Sequence, residues 1–394
     1  MNELYLDAAA TTKPKTEVVH AMQPYLNLMY YNPSSLYRPA QIVKEAIEKS
    51  RKIVADYIGC KSNEVYFTSG GSESNCWAIQ GFVQNRINKG RTPSIITTTI
   101  EHHSILACVE GIGVDAHYIP VDKEGFINLE ILESVLQYVA AQTDDGEDIL
   151  VSVQFANNEI GTIQHIKDIA KIVHNYGAIF HTDAVQAFGQ YDIDVEQLNI
   201  DMLSASGHKI GTPKGIGILY KKDSIQINPI IYGSQENNMR GGTENVPYII
   251  GFGKAVEILQ KAHTLRNRIS MNLLKSDLIT KLRAEGCIIN GSLTERLPNN
   301  INITFPNKAT GEALIYMMDA SGIYISAGSA CNSHSQSVSH VLKAIGLTED
   351  EALRTIRITL PEGLLYLKSE ERENVVDKFI SEFKKQLKIL DISN

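Results

Sequence analysis

The sequence predicts an α/β protein built on a mainly parallel mixed sheet, with a second, smaller α+β lobe. Three observations carry this reading. Short apolar runs alternate with helix-length segments from Val65 to about Tyr220. Polar clusters follow those runs: Glu101-His102, Asn157-Asn158-Glu159-Ile160-Gly161, Asp183 and Lys209. They would then share the carboxyl edge of one sheet, where open α/β sheets bind ligands. Beyond Tyr232 the pattern changes to isolated alternating strands between helices. The expected division is a large domain over 14–255 and a small one made of 1–13 with 256–394.

In order, Leu4-Tyr5-Leu6 reads as a strand, and Pro14 precedes a helix from about Lys15 to Tyr30. After the turn cluster Asn32-Pro33-Ser34-Ser35, a helix covers Ala40 to about Ile58, with Ile42, Val43, Ala46, Ile47 and Val54 at helical spacing. Val65-Tyr66-Phe67 is a strand, and Thr68-Ser69-Gly70-Gly71-Ser72 turns into a helix carrying Trp77, Ile79 and Phe82. Strands follow at 95–98, 149–153, 178–182, 201–205 and 216–220. The Gly-rich loop from Met239 to Asn245 leads into a helix from about Tyr248 to the 270s. Ile301-Asn302-Ile303-Thr304-Phe305 alternates as a half-buried strand. In 355–360 the isoleucines and Leu360 face one way, and Thr355, Arg357 and Thr359 the other. Thr348 and Glu351 have capping-box spacing, and a last apolar-striped helix carries Val376, Phe379 and Phe383.

The 394 residues allow a large core, and 43% hydrophobic with 21% charged residues is ordinary for a soluble protein. A net charge of −8 argues against a general binder of nucleic acid or anionic membrane. No apolar run reaches a membrane span, and the N-terminus lacks a signal core. Five scattered cysteines (Cys60, Cys76, Cys108, Cys287, Cys331) without C-x-x-C spacing fit a reducing cytoplasm and no structural zinc.

Two strand ends suggest the chemistry. Asp183 follows the buried run Ala178-Ile179-Phe180, and Lys209 follows Met202-Leu203. A lysine and a carboxylate at neighbouring strand ends can grip pyridoxal phosphate from two sides. The amine forms a Schiff base, and the carboxylate keeps the pyridine nitrogen protonated. The pair alone is common to many α/β enzymes.

Further clusters narrow it: Leu6-Asp7-Ala8-Ala9-Ala10-Thr11-Thr12, Asn32-Pro33-Ser34-Ser35, Thr68 to Asn75, Glu101-His102, Asn157 to Gly161, His181 to Gln186, Ser206-Gly207-His208-Lys209, Arg240 to Asn245, Ser326 to Cys331, and Arg357. Together, in this order and over nearly the whole chain, they resemble the cysteine desulfurases. These are pyridoxal phosphate enzymes of the class-V aminotransferase family, with the aspartate aminotransferase-like fold (fold type I). The resemblance implies conversion of L-cysteine to L-alanine, with sulfur passed as a persulfide on Cys331 to an acceptor such as an iron–sulfur scaffold or a thiolation enzyme.

The resemblance also implies roles. Lys209 binds the cofactor, and Asp183 holds its ring nitrogen. His102 stacks on the ring and moves protons, which suits a flat group titrating near neutrality. Asn158 and Gln186 contact the ring hydroxyl, with Asn157 the alternative for the first. Gly71 and Ser72 open a helix whose backbone N–H groups can hold the phosphate, although the same turn is also an ordinary strand–helix connection. Ser206 and His208 add donors there, and Thr243 reaches the phosphate site of the partner subunit in a homodimer. Arg357, with Asn32 assisting, would bind the substrate carboxylate through its planar fork; alone, an arginine on a polar strand face is more often a solvated charge.

Cys331 selects the reaction. It opens the polar stretch Cys331-Asn332-Ser333-His334-Ser335-Gln336-Ser337, which lacks apolar periodicity and reads as an exposed loop suited to a nucleophilic thiol. The loop length places the chain with the long-loop (class I) group. Two departures stand out: Tyr37 replaces a common histidine, and Thr359-Leu360-Pro361-Glu362-Gly363 is altered after Arg357. The chain also lacks the extended tail that some members use for scaffold docking. Competing readings are a selenocysteine lyase-like β-eliminase on the same fold and a non-catalytic scaffold or regulator.

Overall fold

The computed structural model describes residues 3–143, 145–262, 265–306, 308–327 and 338–393. The chain opens with β1 (Leu4–Tyr5), α1 (Thr16–Asn27) and α2 (Arg38–Ile58). It then alternates through β2 (Val65–Thr68), α3 (Gly71–Asn88), β3 (Ser94–Thr98), α4 (His103–Ile112), β4 (Asp115–Ile119), α5 (Leu129–Ala140), β5 (Ile149–Ser152), α6 (Ile166–Asn175) and β6 (Ile179–Asp183). β7 (Met202–Ser206) and β8 (Gly217–Lys221) precede α7 (Val246–Ala262) and α8 (Leu265–Ala284). The remainder holds β9 (Ile288–Ile289), β10 (Asn300–Thr304), α9 (Gly311–Ala320), β11 (Ile323–Tyr324), β12 (Ser326–Ala327), α10 (His340–Ala344), α11 (Glu349–Leu353), β13 (Thr355–Thr359) and α12 (Ser369–Ser393).

Seven strands form one sheet in the order β2-β8-β7-β6-β5-β3-β4, parallel except that β8 runs against both its neighbours. Its central strands are apolar on both faces because helices cover both. Ile96, Val151, Phe180 and Leu203 pack on one side with α1, α2 and α7, while Ile95, Leu150, Ile179 and Met202 pack on the other with α3 and α4. This order sets β7, β6, β5 and β3 side by side, so the segments after all four emerge at one edge.

A four-stranded antiparallel sheet, β12-β13-β10-β9, has its own core of Leu278, Leu282, Phe305, Met318, Ile356, Phe379 and Phe383. The N-terminal strand belongs with it. β1 pairs in parallel with β11, Asp7 bridges Thr359, and Leu4 and Leu6 join this core. The N-terminal residues thus lie between the two sheets.

Several expectations need correction. The helix expected from Tyr248 into the 270s is two helices, α7 and α8. The first packs on α1 and α2 through Phe252, Val256 and Leu259, the second against β9 and β10. Ile42 is exposed, and the buried stripe of α2 runs through Ala40, Val43, Ile47, Val54 and Ile58. β10 and β13 are buried on both faces, because the N-terminal segment and the turn at 157–161 cover the side that alternation assigned to solvent. Among the described residues no helix is long and apolar enough to cross a membrane.

Candidate active site

A cavity of about 350 Å³ opens at the carboxyl edge of β7, β6, β5 and β3. Its lining includes Gly71, Ser72, His102, Asn158, Asp183, Gln186, Ser206, His208, Lys209 and Arg357. Ten positions read from scattered motifs thus meet in one place. Thr243 and Asn32 do not line it. Thr243 is exposed beside a separate hollow with Ser69, Glu236, Arg240 and Glu244. Its loop is tied to the first turn of α3, where Arg240 grips Glu73 at 2.6 and 3.0 Å. Asn32 is exposed and spends its side chain accepting from the Ser34 backbone N–H at 3.0 Å. Cys331 lies outside the described residues.

Each lining group has a local cause. Gly71 starts α3, and no side chain caps the helix at Gly70, so its first N–H groups face the cavity mouth with the positive end of the helix dipole. A Cβ on Gly71 would stand 2.5 Å from Val185 Cγ2, so only glycine lets the helix end approach the strand edge this closely. Asp183 ends β6. Its Oδ1 accepts from Val185 N–H at 2.9 Å and its Oδ2 from Asn75 Nδ2 at 2.7 Å. Lys209 ends the tight turn after β7, and its amine donates to Ala9 O and to Ala10 O, the latter at 2.9 Å. Gln186 donates to the same Ala9 carbonyl at 3.1 Å.

His102 caps α4: the Ser104 N–H donates to its Nδ1 at 3.1 Å. Burial, with the Lys209 and His103 charges, lowers its pKa against an opposing pull from Asp183. His208 is pushed down to about 4 by burial and by Lys209 and Lys214. At neutral pH both rings are therefore uncharged. Glu101, beside His102, is pushed up to about 8 by burial; its Oε1 accepts from Thr98 and Gln154, and its Oε2 has no partner among the described residues.

Asn157 and Asn158 separate cleanly. Asn157 is buried, donates to Ile100 O and accepts from Glu159 and Ile160 N–H, so it builds the turn. Asn158 lines the cavity. Arg357 is 1% exposed, which rules out a solvated surface charge. One arm meets Asp7 at 2.7 Å, another the Asn158 carbonyl at 3.2 Å, and its Nε is buried without a partner among the described residues. In the altered segment after it, Pro361 stands at the N-cap of a short 3-10 turn, and Glu362 pairs with Lys15, just before α1, at 2.6 Å beside a second hollow that Lys209 also lines.

Asn75, Ser104 and Gln154 also line the cavity, without a role expected from sequence. Asn75 had one signal, its place one turn after Gly71 on α3. The other two had none.

The aminotransferase class-V family model matches residues 4–361. A protein named cysteine desulfurase IscS from Methanosarcina thermophila is 45% identical over 361 residues, covering 91% of this chain and 87% of the relative. Among solved structures, a NifS-like protein from Rickettsia africae superposes with a TM-score of 0.85 at 33% identity, covering 98% and 99% of the two chains. Another, described as SspA in complex with cysteine, gives a TM-score of 0.77 at 36% identity, covering 92% and 99%.

Proposed function

The chain belongs to the aminotransferase class-V family and is a cysteine desulfurase, and from that premise we propose that it works on L-cysteine with pyridoxal phosphate bound at Lys209. The observation that carries this is the convergence of Lys209, Asp183 and His102 on one cavity beside an uncapped helix N-terminus. The residues present fit the group. The Gly71 cradle leaves no room for a Cβ, and the buried Asn75 Oδ1 and Arg357 Nε lack partners among the described residues. The Gly71 and Ser72 N–H groups with Ser206 and His208 would hold the phosphate, Asp183 the ring nitrogen, and Asn158 and Gln186 the ring hydroxyl. Bound pyridoxal phosphate would supply an electron-withdrawing ring that stabilises negative charge at the substrate Cα.

The chain's own groups do the rest. Arg357, anchored by Asp7 and Asn158, offers Nε–H to the substrate carboxylate. The Lys209 amine moves the proton at Cα, and neutral His102 moves a proton at the reacting end of the substrate. The Cys331 thiolate attacks the substrate sulfur. An S–S bond forms, the C–S bond breaks with its electron pair left on carbon, and protonation of that carbon completes alanine. The persulfide then passes to an acceptor thiol. Thr243 completes the phosphate site of the partner in a homodimer.

Two variants test the reading. Lys209→Ala should lose the visible absorption of the lysine-bound cofactor. Cys331→Ala should keep that absorption and lose sulfide and persulfide production. Unchanged sulfide release by Cys331→Ala would sink the persulfide role.

A further inference from the structure

Asp183 and His102 stand at the ends of different strands, yet one run of hydrogen bonds joins them. Asn75 Nδ2 donates to Asp183 Oδ2 at 2.7 Å and to Ser104 Oγ at 2.9 Å. A carboxylate only accepts, so the amide edge toward Asp183 is the NH₂, and both its hydrogens are used. Ser104 Oγ, having accepted from Asn75, keeps its own hydrogen for His102 Nδ1 at 2.8 Å. The Ser104 backbone N–H reaches the same nitrogen. Nδ1 is therefore an acceptor, and the neutral ring carries its proton on Nε2.

The amide is held at a cost. Asn75 is 1% exposed and its Oδ1 is buried without a partner among the described residues. Packing would not select that arrangement, because an apolar side chain of the same shape leaves no oxygen unmet.

We propose that Asn75, acting through Ser104, is a positioning residue that aims the Asp183 carboxylate and keeps His102 neutral with its proton on Nε2. The proposal rests on the reading of Asp183 and His102 as groups that flank the cofactor. A donor to Nδ1 stabilises the neutral imidazole, because protonation would turn that acceptor into a second donor. Among the described residues, the other ionisable groups facing His102 are Asp183 from β6, Lys209 beyond β7, His103 on the same helix and His340 of α10. Asp183 favours protonation, while Lys209 and His103 oppose it. Without Asn75, the Ser104 hydroxyl is free to turn toward the Asp183 carboxylate, and His102 loses a donor while Asp183 loses its amide.

The test is histidine ¹⁵N NMR on the full chain, free of cofactor and loaded, with His102 assigned through His102→Gln. Asn75→Ala and Ser104→Ala should each raise the His102 midpoint by about half a pH unit or more. The double variant should shift it no further than the larger single one. In the loaded enzyme Asn75→Ala should lower kcat by roughly tenfold with KM nearly unchanged. An unmoved midpoint in Ser104→Ala, or single shifts that add in the double variant, would overturn the proposal. The titration is read without cofactor, so failure of the protein to bind pyridoxal phosphate would defeat the site reading and leave this result distinct.

Discussion

Among single residues, Glu101, beside His102, has its pKa raised to about 8 by burial, above its unfolded value. Between those values the folded state binds the extra proton, so stability falls as pH rises from about 4.5 toward 8. Glu101→Gln should remove that dependence. Thermal unfolding between pH 5 and 8.5 would show a flatter profile, with the variant gaining about 1 kcal/mol or more at the alkaline end. A parallel profile would mean that Glu101 ionises freely. His181, pushed down to about 3 by burial, acts in the opposite sense. The unfolded chain takes up its proton first, so stability drops as pH falls below about 6.5. At this scale, Lys209 and Asp183 were readable because apolar runs fixed the ends of their strands. Asn75 and Ser104 were not, because a polar residue inside a helix acquires a role only from what the fold sets opposite it.

At the scale of elements, helix ends and strand ends supply most of the chemistry. The capping box of Thr348 and Glu351 forms as its spacing predicts, with both reciprocal bonds made. α3 does the reverse and leaves its first turn uncapped. Gly71→Ala would drive a Cβ against Val185 and push the helix end off the strand edge. Its expected signature is weaker cofactor affinity, by roughly tenfold or more, from a shift of about an ångström in the donors. A cofactor titration followed by absorbance would measure this, and wild-type affinity would show that the turn can relax. Helical and strand periodicity marked α1, α2, α3, α12 and most strands of the large sheet, and missed the edge strand β4. It failed where burial on a second face, as in β10 and β13, came from segments distant in sequence.

Across the whole molecule, the order β7-β6-β5-β3 gathers residues from four loops, and the N-terminal segment closes the cavity from the side of the smaller sheet. Thr243 lies outside that cavity in its own chain. If it serves the partner's phosphate, mixed dimers of Thr243→Ala with Lys209→Ala should hold one cofactor site of full affinity, since the two defects fall in the same site. Cofactor titration of the mixed dimer checks this; finding only weakened sites would return Thr243 to its own subunit.

Legible in the chain alone are the α/β class and the strand ends that carry Asp183, His102 and Lys209, because buried strands and glycine turns leave local patterns, while the family is legible from a series of motifs in their order. Folding adds that Arg357 is buried against Asp7, that Asn157 builds the turn while Asn158 faces the cavity, and that Asn75 joins Asp183 to His102 through Ser104. Those are contacts between residues far apart in sequence. Their energies depend on which polar groups the packed fold shuts away from water together.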